Sequence, residues 1–327
     1  MIEKNEIGYT GISVVVPCYN CEKTIERCLS SLTSDINSSI EILLVNDCST
    51  DNTDSVIRKY IKSKPTIDIR YFCNEKNLGA GETRNRGIQL AKKEYLVFVD
   101  ADDTIDGRFF SLITNHINEY HDDCIIFNAD YISAAKTKPF KMFYGGHFKG
   151  NNYIDTRNAL VFTKGCTCGK VYKTEIIKSN DISFASIKRN EDCVFTKIAL
   201  SFCDKIYYID DVLYHYYDNP DSLMNNEALL DKNNAFIAFG IISSMLENRG
   251  FENELHSIYM IEIIYSTTTT CLLQNNNYKE NYNCVSRNYK FNDRYYFSYS
   301  LKYRLAIRLF RLGLINAIAF LLRFRNR

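Results

Sequence analysis

At 327 residues, 46% of them hydrophobic, the chain is long enough to bury either one large domain with an appendage or two smaller ones. A formal net charge of +1 leaves no molecule-wide field to attract nucleic acid or an acidic polymer, so no nucleic-acid partner is expected. No run approaches the roughly 20 apolar residues of a spanning helix, and the 12 scattered cysteines, with no secretory leader ahead of them, predict reduced thiols in a cytoplasmic protein.

Four short β-branched runs come first: Ile12 to Val16, Ile40 to Val45, Ile67 to Phe72 and Tyr95 to Val99. Between the first two, Ile25, Cys28, Leu29 and Leu32 recur at helical spacing, with Asn20 as the expected N-cap. The turn Asp47-Cys-Ser-Thr-Asp51 feeds a second helix striped by Val56, Ile57, Tyr60 and Ile61, and a third follows Asn77-Leu-Gly-Ala-Gly81 with Ile88 and Ala91 inward. Three successive βα units predict an α/β fold, a doubly wound, mostly parallel sheet with helices on both faces.

From residue 111 the pattern loosens into an apolar strand at Cys124 to Phe127, a loop at Gly145 and Gly146, and strands at Ile206 to Tyr208 and Leu213 to Tyr217. Beyond about residue 225 it turns helical. The chain therefore divides into a first α/β half over 1–110, an acceptor-facing half over 111–224 and a helical C-terminal region over 225–327. The spacings Cys18-x-x-Cys21 and Cys166-x-Cys168 lack the matched second pair of a zinc site and read as small loop or core thiols.

In open α/β sheets ligands bind beyond the carboxyl ends of the strands, so the residues after each apolar run carry the information. Here they are Pro17-Cys-Tyr-Asn20, Asn46-Asp47, Asn74-Glu75 and Asp100-Ala-Asp102-Asp103, four polar tips on one rim. If extended backbone continues past the fourth run, Asp100 and Asp102 project from one face, where two hard oxygen donors can share Mn²⁺ or Mg²⁺. The alternative is a capping turn, the job that Asp103 or Asp106 would do for the next helix. Tyr19 can stack on a base and Asp47 can accept from a base N–H. Arg84 and Arg86 start the third helix, where a guanidinium reaches a diphosphate or faces solvent. Asn190-Glu191-Asp192 opens another helix, as a general base or as charges complementing its dipole. No Gly-x-x-x-x-Gly-Lys-Ser/Thr, Gly-x-Gly-x-x-Gly or Gly-x-Ser-x-Gly occurs, against a P-loop enzyme, a dinucleotide dehydrogenase or an α/β-hydrolase.

Together, Ser13-Val-Val-Val-Pro-Cys-Tyr-Asn20, Val45-Asn-Asp-Cys-Ser-Thr-Asp51, Asn77-Leu-Gly-Ala-Gly-Glu-Thr-Arg-Asn85 and Tyr95-Leu-Val-Phe-Val-Asp-Ala-Asp-Asp103 resemble glycosyltransferase family 2. The likeness extends more weakly through Gly169-Lys-Val-Tyr172, Asn190-Glu-Asp192 and Tyr214-His-Tyr216. It implies a GT-A fold and an inverting, metal-dependent transfer of sugar from a nucleotide-diphosphate sugar, a UDP-sugar above all, to a hydroxyl of a glycan or lipid-linked acceptor in cell-surface polysaccharide synthesis. By the same resemblance Pro17, Tyr19, Asn20, Asp47, Arg84, Asp100 and Ala101 form the nucleotide-sugar site. Asp102 is the principal ligand of Mn²⁺ or Mg²⁺ with Asp100 beside it, and Asp192 is the base with Glu191 adjacent. Asn46 and Cys48 depart from the commoner aspartate and glycine. His215, between two tyrosines, reads as a packed strand residue rather than a metal ligand.

At the C-terminus Leu301, Leu305, Leu309 and Leu312 share a helical stripe with Arg304, Arg308 and Arg311 beside it, and Arg323, Arg325 and Arg327 follow. That pattern suits a helix lying peripherally on the anionic inner face of the plasma membrane, or one docked on the core or on a second subunit. Two rival functions are a sugar-1-phosphate nucleotidyltransferase and a non-catalytic nucleotide-sugar-binding protein. The first wants a Gly-rich basic loop, which Ile12 to Asn20 lacks, and the second would lose Asp102 or Asp192, which are both present.

Overall fold

The computed structural model describes residues 11–34, 36–37, 39–144, 148–219, 233–255 and 257–258, together with residues 304, 305, 308, 309 and 312. The expected loop at Gly145 and Gly146, the boundary near residue 225 and most of the C-terminal helix lie outside the described residues.

The chain begins with β1 (Ile12–Cys18), α1 (Ile25–Thr33), β2 (Ile40–Asn46), α2 (Thr53–Ser63), β3 (Ile69–Cys73), α3 (Ala80–Leu90) and β4 (Tyr95–Phe98). These strands run parallel in the order β3-β2-β1-β4. Continuous apolar runs become parallel strands because helices cover both faces and leave no side of the strand in water. Every residue of β2 and β4 is buried. On α1 the predicted stripe of Ile25, Cys28, Leu29 and Leu32 is the buried face.

The second part adds β5 (Thr104–Ile105), α4 (Phe109–Tyr120), β6 (Cys124–Ile132), β7 (Thr137–Phe140), β8 (Asn152–Ile154) and α5 (Thr156–Phe162). It continues with β9 (Lys170–Lys173), α6 (Thr174–Ser179), α7 (Glu191–Ser201), β10 (Ile206–Tyr217) and α8 (Asn233–Glu247). One ten-stranded sheet joins both parts in the order β3-β2-β1-β4-β9-β6-β10-β5, with β7 on β6 and β8 on β10. β9 is the seam, antiparallel to β4 on one side and to β6 on the other, while β6 and β10 are parallel.

Two local expectations are corrected. The strands expected at Ile206 to Tyr208 and Leu213 to Tyr217 are one strand, β10, whose register against β6 shifts between Ile209 and Val212 and again between Val212 and Tyr214. Asp210 and Asp211 break the apolar pattern, and the bulges absorb them without ending the strand. Asn20 does not cap α1, which starts five residues later behind Thr24. Its side chain instead accepts from the Thr50 N–H at 2.8 Å, joining the loop after β1 to the loop after β2.

Beneath the junction of the two parts lie Phe98, Phe184 and Phe195, with centroids 5.2 Å apart for Phe98 and Phe184 and 4.2 Å for the stacked pair Phe184 and Phe195. α8 packs on α7. The segment after it is tied down by Arg157 to the buried Glu254 at 2.6 Å and by Arg249, which lies 3.5 Å over the Phe202 ring. Leu309 packs against the core, whereas Leu305 and Leu312 are exposed. No described helix is long and apolar enough to cross a membrane.

Candidate active site

Past β1, Tyr19 is 46% exposed and Asn20 takes a left-handed conformation with φ of 47°, which asparagine tolerates better than most residues. The Asn20 N–H donates to Ser49 Oγ at 3.0 Å, so two hydrogen-bonded loops hold the Tyr19 ring outward beside half-buried Pro17. Past β2, the Asn46 side chain uses both of its chemistries. Its oxygen accepts from the Ser49 N–H at 3.0 Å and its nitrogen donates to the Tyr71 hydroxyl at 2.7 Å. A carboxylate there could not make the second bond as donor, which accounts for the amide.

Asp47 is only 3% exposed. It accepts from the backbone of Leu78 and Gly79, both at 2.8 Å, and from Asn74 Nδ2 at 2.7 Å. Three of its acceptor positions thus anchor the turn that starts α3, where Gly79 has φ of 88°. Asp47 therefore fixes the turn at this rim and keeps part of its acceptor capacity unused by these bonds.

The acidic run after β4 is not extended. β4 ends at Phe98, the Val99 N–H still pairs with Val15, and Asp103 N donates back to Asp100 O at 3.0 Å, closing a turn. Strand alternation therefore does not place Asp100 and Asp102 on one face, and the turn brings their charges together instead. Burial, and then the negative charge of Asp100, push the Asp102 carboxyl above its ordinary range. Asp102 Oδ2 accepts from Asn219 Nδ2 at 2.9 Å, and Ala101 between the two aspartates is buried. Asp103 does not cap α4. It is fully buried, accepting from the Tyr214 hydroxyl at 2.6 Å and the Tyr217 N–H at 2.8 Å, while Asp106 takes the Arg108 N–H at the start of that helix.

Arg84 and Arg86, equivalent in the sequence, separate in space. Arg86 donates to Cys73 O and Asn74 Oδ1. Arg84, 7% exposed, reaches Asp100 Oδ1 at 2.6 Å and Glu191 Oε1 at 3.7 Å, lies 5.5 Å over the Phe184 ring, and keeps a buried Nε without an acceptor. It therefore joins the acidic turn to the first turn of α7. There Asn190 is left-handed, with φ of 65°, and Asp192 Oδ1 accepts from the Cys193 N–H at 2.8 Å. Burial raises the Asp192 carboxyl, opposed by the Arg84 charge. Burial and the Asp192 charge push Glu191 up to about 7.

Asp100 and Asp102 supply hard oxygen donors close enough that, beyond burial, the Asp100 charge raises the Asp102 carboxyl, the donor chemistry that suits Mn²⁺ or Mg²⁺. Among the described residues no group of three or more His, Cys, Asp or Glu side chains could hold a metal ion, so the pair by itself offers an incomplete shell. His215 Nε2 lies 3.8 Å from Asp106 Oδ2.

Three supports of the site lie outside the four strand-end motifs. Tyr214 locks Asp103 and also accepts from the Asp100 N–H at 3.1 Å. Asn219 holds Asp102, and Arg27 donates to Asp102 O while its guanidinium lies 3.6 Å over the Tyr217 ring. The sequence signals for Tyr214 are the weaker motif Tyr214-His-Tyr216 and the alternation of its two tyrosines toward one face of β10. A surface groove of about 470 Å³ lined by Lys92, Lys93, Glu94, Thr174 and Lys178 lies at the amino ends of β1 and β4, away from this rim.

Arg84 thus joins the polar rim at the strand ends to an acidic helix start, and the family model described as Glycosyl transferase family 2 matches residues 13–176. The chain belongs to that family, and it spans less than two thirds of the length of several curated relatives that it matches. Among curated proteins it is similar to the poly(ribitol-phosphate) beta-N-acetylglucosaminyltransferase TarS of Staphylococcus aureus (strain Mu50 / ATCC 700699), 30% identical over 208 residues, 62% of this chain and 35% of TarS. A poly(ribitol-phosphate) beta-glucosyltransferase of Bacillus spizizenii is 31% identical over 246 residues, 74% of this chain and 37% of the relative. EpsH of Bacillus subtilis (strain 168) is 27% identical, and the chain spans 60% of its length. The crystal structure of S. aureus TarS 1-349 in complex with UDP-GlcNAc superposes with a TM-score of 0.71 at 23% identity, covering 97% of this chain and 92% of that one, and the shared fold is GT-A.

Proposed function

We propose that this chain transfers a sugar from a UDP-sugar, with inversion, to a hydroxyl of a glycan or lipid-linked acceptor in the assembly of a cell-surface polysaccharide. The observation that carries the proposal is the pair of separate acidic centres joined by Arg84: Asp100 and Asp102 on one side, Glu191 and Asp192 on the other. The names of the relatives, which act on poly(ribitol-phosphate), support the acceptor class, and the complex of TarS with UDP-GlcNAc supports the donor class.

Asp102 with Asp100 would hold Mn²⁺ or Mg²⁺, which when bound neutralises charge building on a departing diphosphate. Tyr19 stacks on the base, Pro17, Asn20, Asp47 and Ala101 wall the base and ribose, and Arg84 adds a fixed positive charge beside the diphosphate. Asp192, with one oxygen held by the Cys193 N–H, uses the other to take the acceptor hydroxyl proton. As that proton leaves, the hydroxyl oxygen bonds to the anomeric carbon, the carbon–phosphate-oxygen bond breaks and UDP departs from the opposite face. A single displacement of this kind inverts the centre. Glu191, shared between protonated and ionised forms near neutral pH, presents a carboxyl to a sugar or acceptor oxygen. For the C-terminal segment, the packing of Leu309 favours docking on the core over a membrane surface.

Incubation with a panel of nucleotide sugars and Mn²⁺ should release a nucleoside diphosphate with one donor. Asp192→Asn should keep UDP binding and lose transfer by a factor of about 10² to 10⁴, whereas Asp102→Asn should weaken Mn²⁺-dependent UDP binding. Silence with every donor, together with no Mn²⁺-dependent nucleotide binding, overturns the proposal.

A further inference from the structure

Lys170, the first residue of β9, is completely buried. Its ammonium donates to Cys166 O at 2.6 Å and to Cys168 O at 3.4 Å, with the Met142 sulfur 3.9 Å away. Two carbonyls and a thioether are neutral partners, and a buried cation is stabilised by anions its field can reach.

The loop it holds, residues 163–169, lies directly on α7. Gly165 abuts Cys193 so closely that a Cβ there would sit 2.6 Å from the Cys193 sulfur. Thr196, one turn beyond Asp192, donates to the same Cys166 carbonyl at 3.3 Å. Lys197 fastens the preceding chain through Leu160 O at 2.8 Å and Thr163 O at 2.6 Å. The Cys166 carbonyl is thus shared between Lys170 and the helix that carries Glu191 and Asp192.

We propose that Lys170 is a positioning residue for the transfer reaction, fixing the loop 163–169 against the first turn of α7, the turn that carries Asp192. The inference rests on Asp192 being the base. Arg84 from α3 and Lys170 from β9 favour the Asp192 anion, Asp100 beyond β4 opposes it, and Glu191 and the Cys166 thiol are its other titratable neighbours. The Cys166 thiol feels the Lys170 charge as a secondary influence. A hydrogen bond from Cys168, opposed by burial and supported by the charges of Lys170 and Lys164, brings its thiol down to about 7.

Lys170→Met keeps the stem and removes the charge. The expected result is a fall in kcat of about tenfold at neutral pH with donor KM and UDP affinity within about twofold. The acid limb of kcat should move up by about half a pH unit, because Asp192 loses a cation and binds its proton more tightly. Thr196→Val, which removes a bond to the same carbonyl and leaves the charge, should not move that limb. An unmoved limb in Lys170→Met, or an equal loss of UDP affinity and kcat, overturns the proposal. Should that variant fail to fold, iodoacetamide labelling of the unaltered chain across pH, read peptide by peptide, tests the field on the loop. Cys166 should be alkylated with a midpoint of about 7, and a midpoint in the ordinary thiol range overturns the proposal. That titration needs no donor, so an unidentified donor or a wrong base leaves it readable.

Discussion

Replacing Tyr214 by Phe removes one hydroxyl, and with it two hydrogen bonds at the turn carrying Asp100 and Asp102. Tyr214 is 1% exposed, and the change leaves ring volume intact, so no large cavity forms. Its hydroxyl donates to Asp103 Oδ2 at 2.6 Å and accepts from the Asp100 N–H at 3.1 Å. Above the Asp103 pKa the first bond is charge-assisted and contributes about 1.5–3 kcal/mol, and loss of the second adds about 1 kcal/mol, giving a penalty of about 3 kcal/mol. Burial and the charges of Asp100 and Asp102 raise Asp103 well above the ordinary carboxylate range, and the Tyr214 hydroxyl works against that shift. The folded state therefore binds this proton more tightly than the unfolded chain, so its favourable contribution is complete at low pH and is lost as pH rises through the folded pKa. Tyr214→Phe raises that pKa further, and its penalty grows over the same interval. Urea unfolding at about pH 5 and about pH 9 reads the difference. A loss below about 1 kcal/mol at both pH values, or one independent of pH, refutes the reasoning. UDP affinity should fall as well, because the Asp100 backbone loses its anchor.

The pH–rate profile of transfer should lose activity on its acid side above the usual aspartate range, since burial raises Asp192 and the base must be ionised; an acid limb at or below that range would count against Asp192. Burial raises buried Glu41, but bonds from the Ser13 hydroxyl, the Lys92 N–H and Arg70 outweigh it and leave the pKa lowered. Its stabilisation is thus present at neutral pH and lost as pH falls through the folded value, and Glu41→Gln should cost about 2 kcal/mol at neutral pH and less in acid, read by thermal or urea unfolding. Gly87 faces β1 so closely that an added Cβ would lie 2.2 Å from Val15 Cγ1. Gly87→Ala should therefore destabilise by about 1–3 kcal/mol despite its better helix propensity, measured by the same unfolding curves.

Much of the first part was legible because its signals are local. Apolar runs at Ile12, Ile40 and Tyr95 mark strands covered on both faces, and the stripe Ile25, Cys28, Leu29 and Leu32 marks a buried helix face, without reference to any distant residue. β10 was read as two strands because Asp210 and Asp211 interrupt its pattern, and only pairing with β6 carries the chain through the bulges. Asn20 looked like a helix cap by residue type, yet its partner, the Thr50 N–H, lies in the next βα unit. Cap propensity describes the residue alone, while the bond made depends on which backbone group comes into reach.

The candidate site divides along the same line. Sequence by itself determined that polar groups end the apolar runs, that an acidic run follows the fourth strand and that Glu191 and Asp192 open a helix, since strand ends and helix starts are set by neighbouring residues. Tertiary structure decided that Arg84, not Arg86, joins Asp100 to Glu191. It also turned Asp103 inward to Tyr214 and put Lys170 beneath the loop beside Asp192. Charges a hundred residues apart in the chain interact only once the sheet has brought them within a few ångströms in a low-dielectric interior, and that distance is a property of the folded chain as a whole.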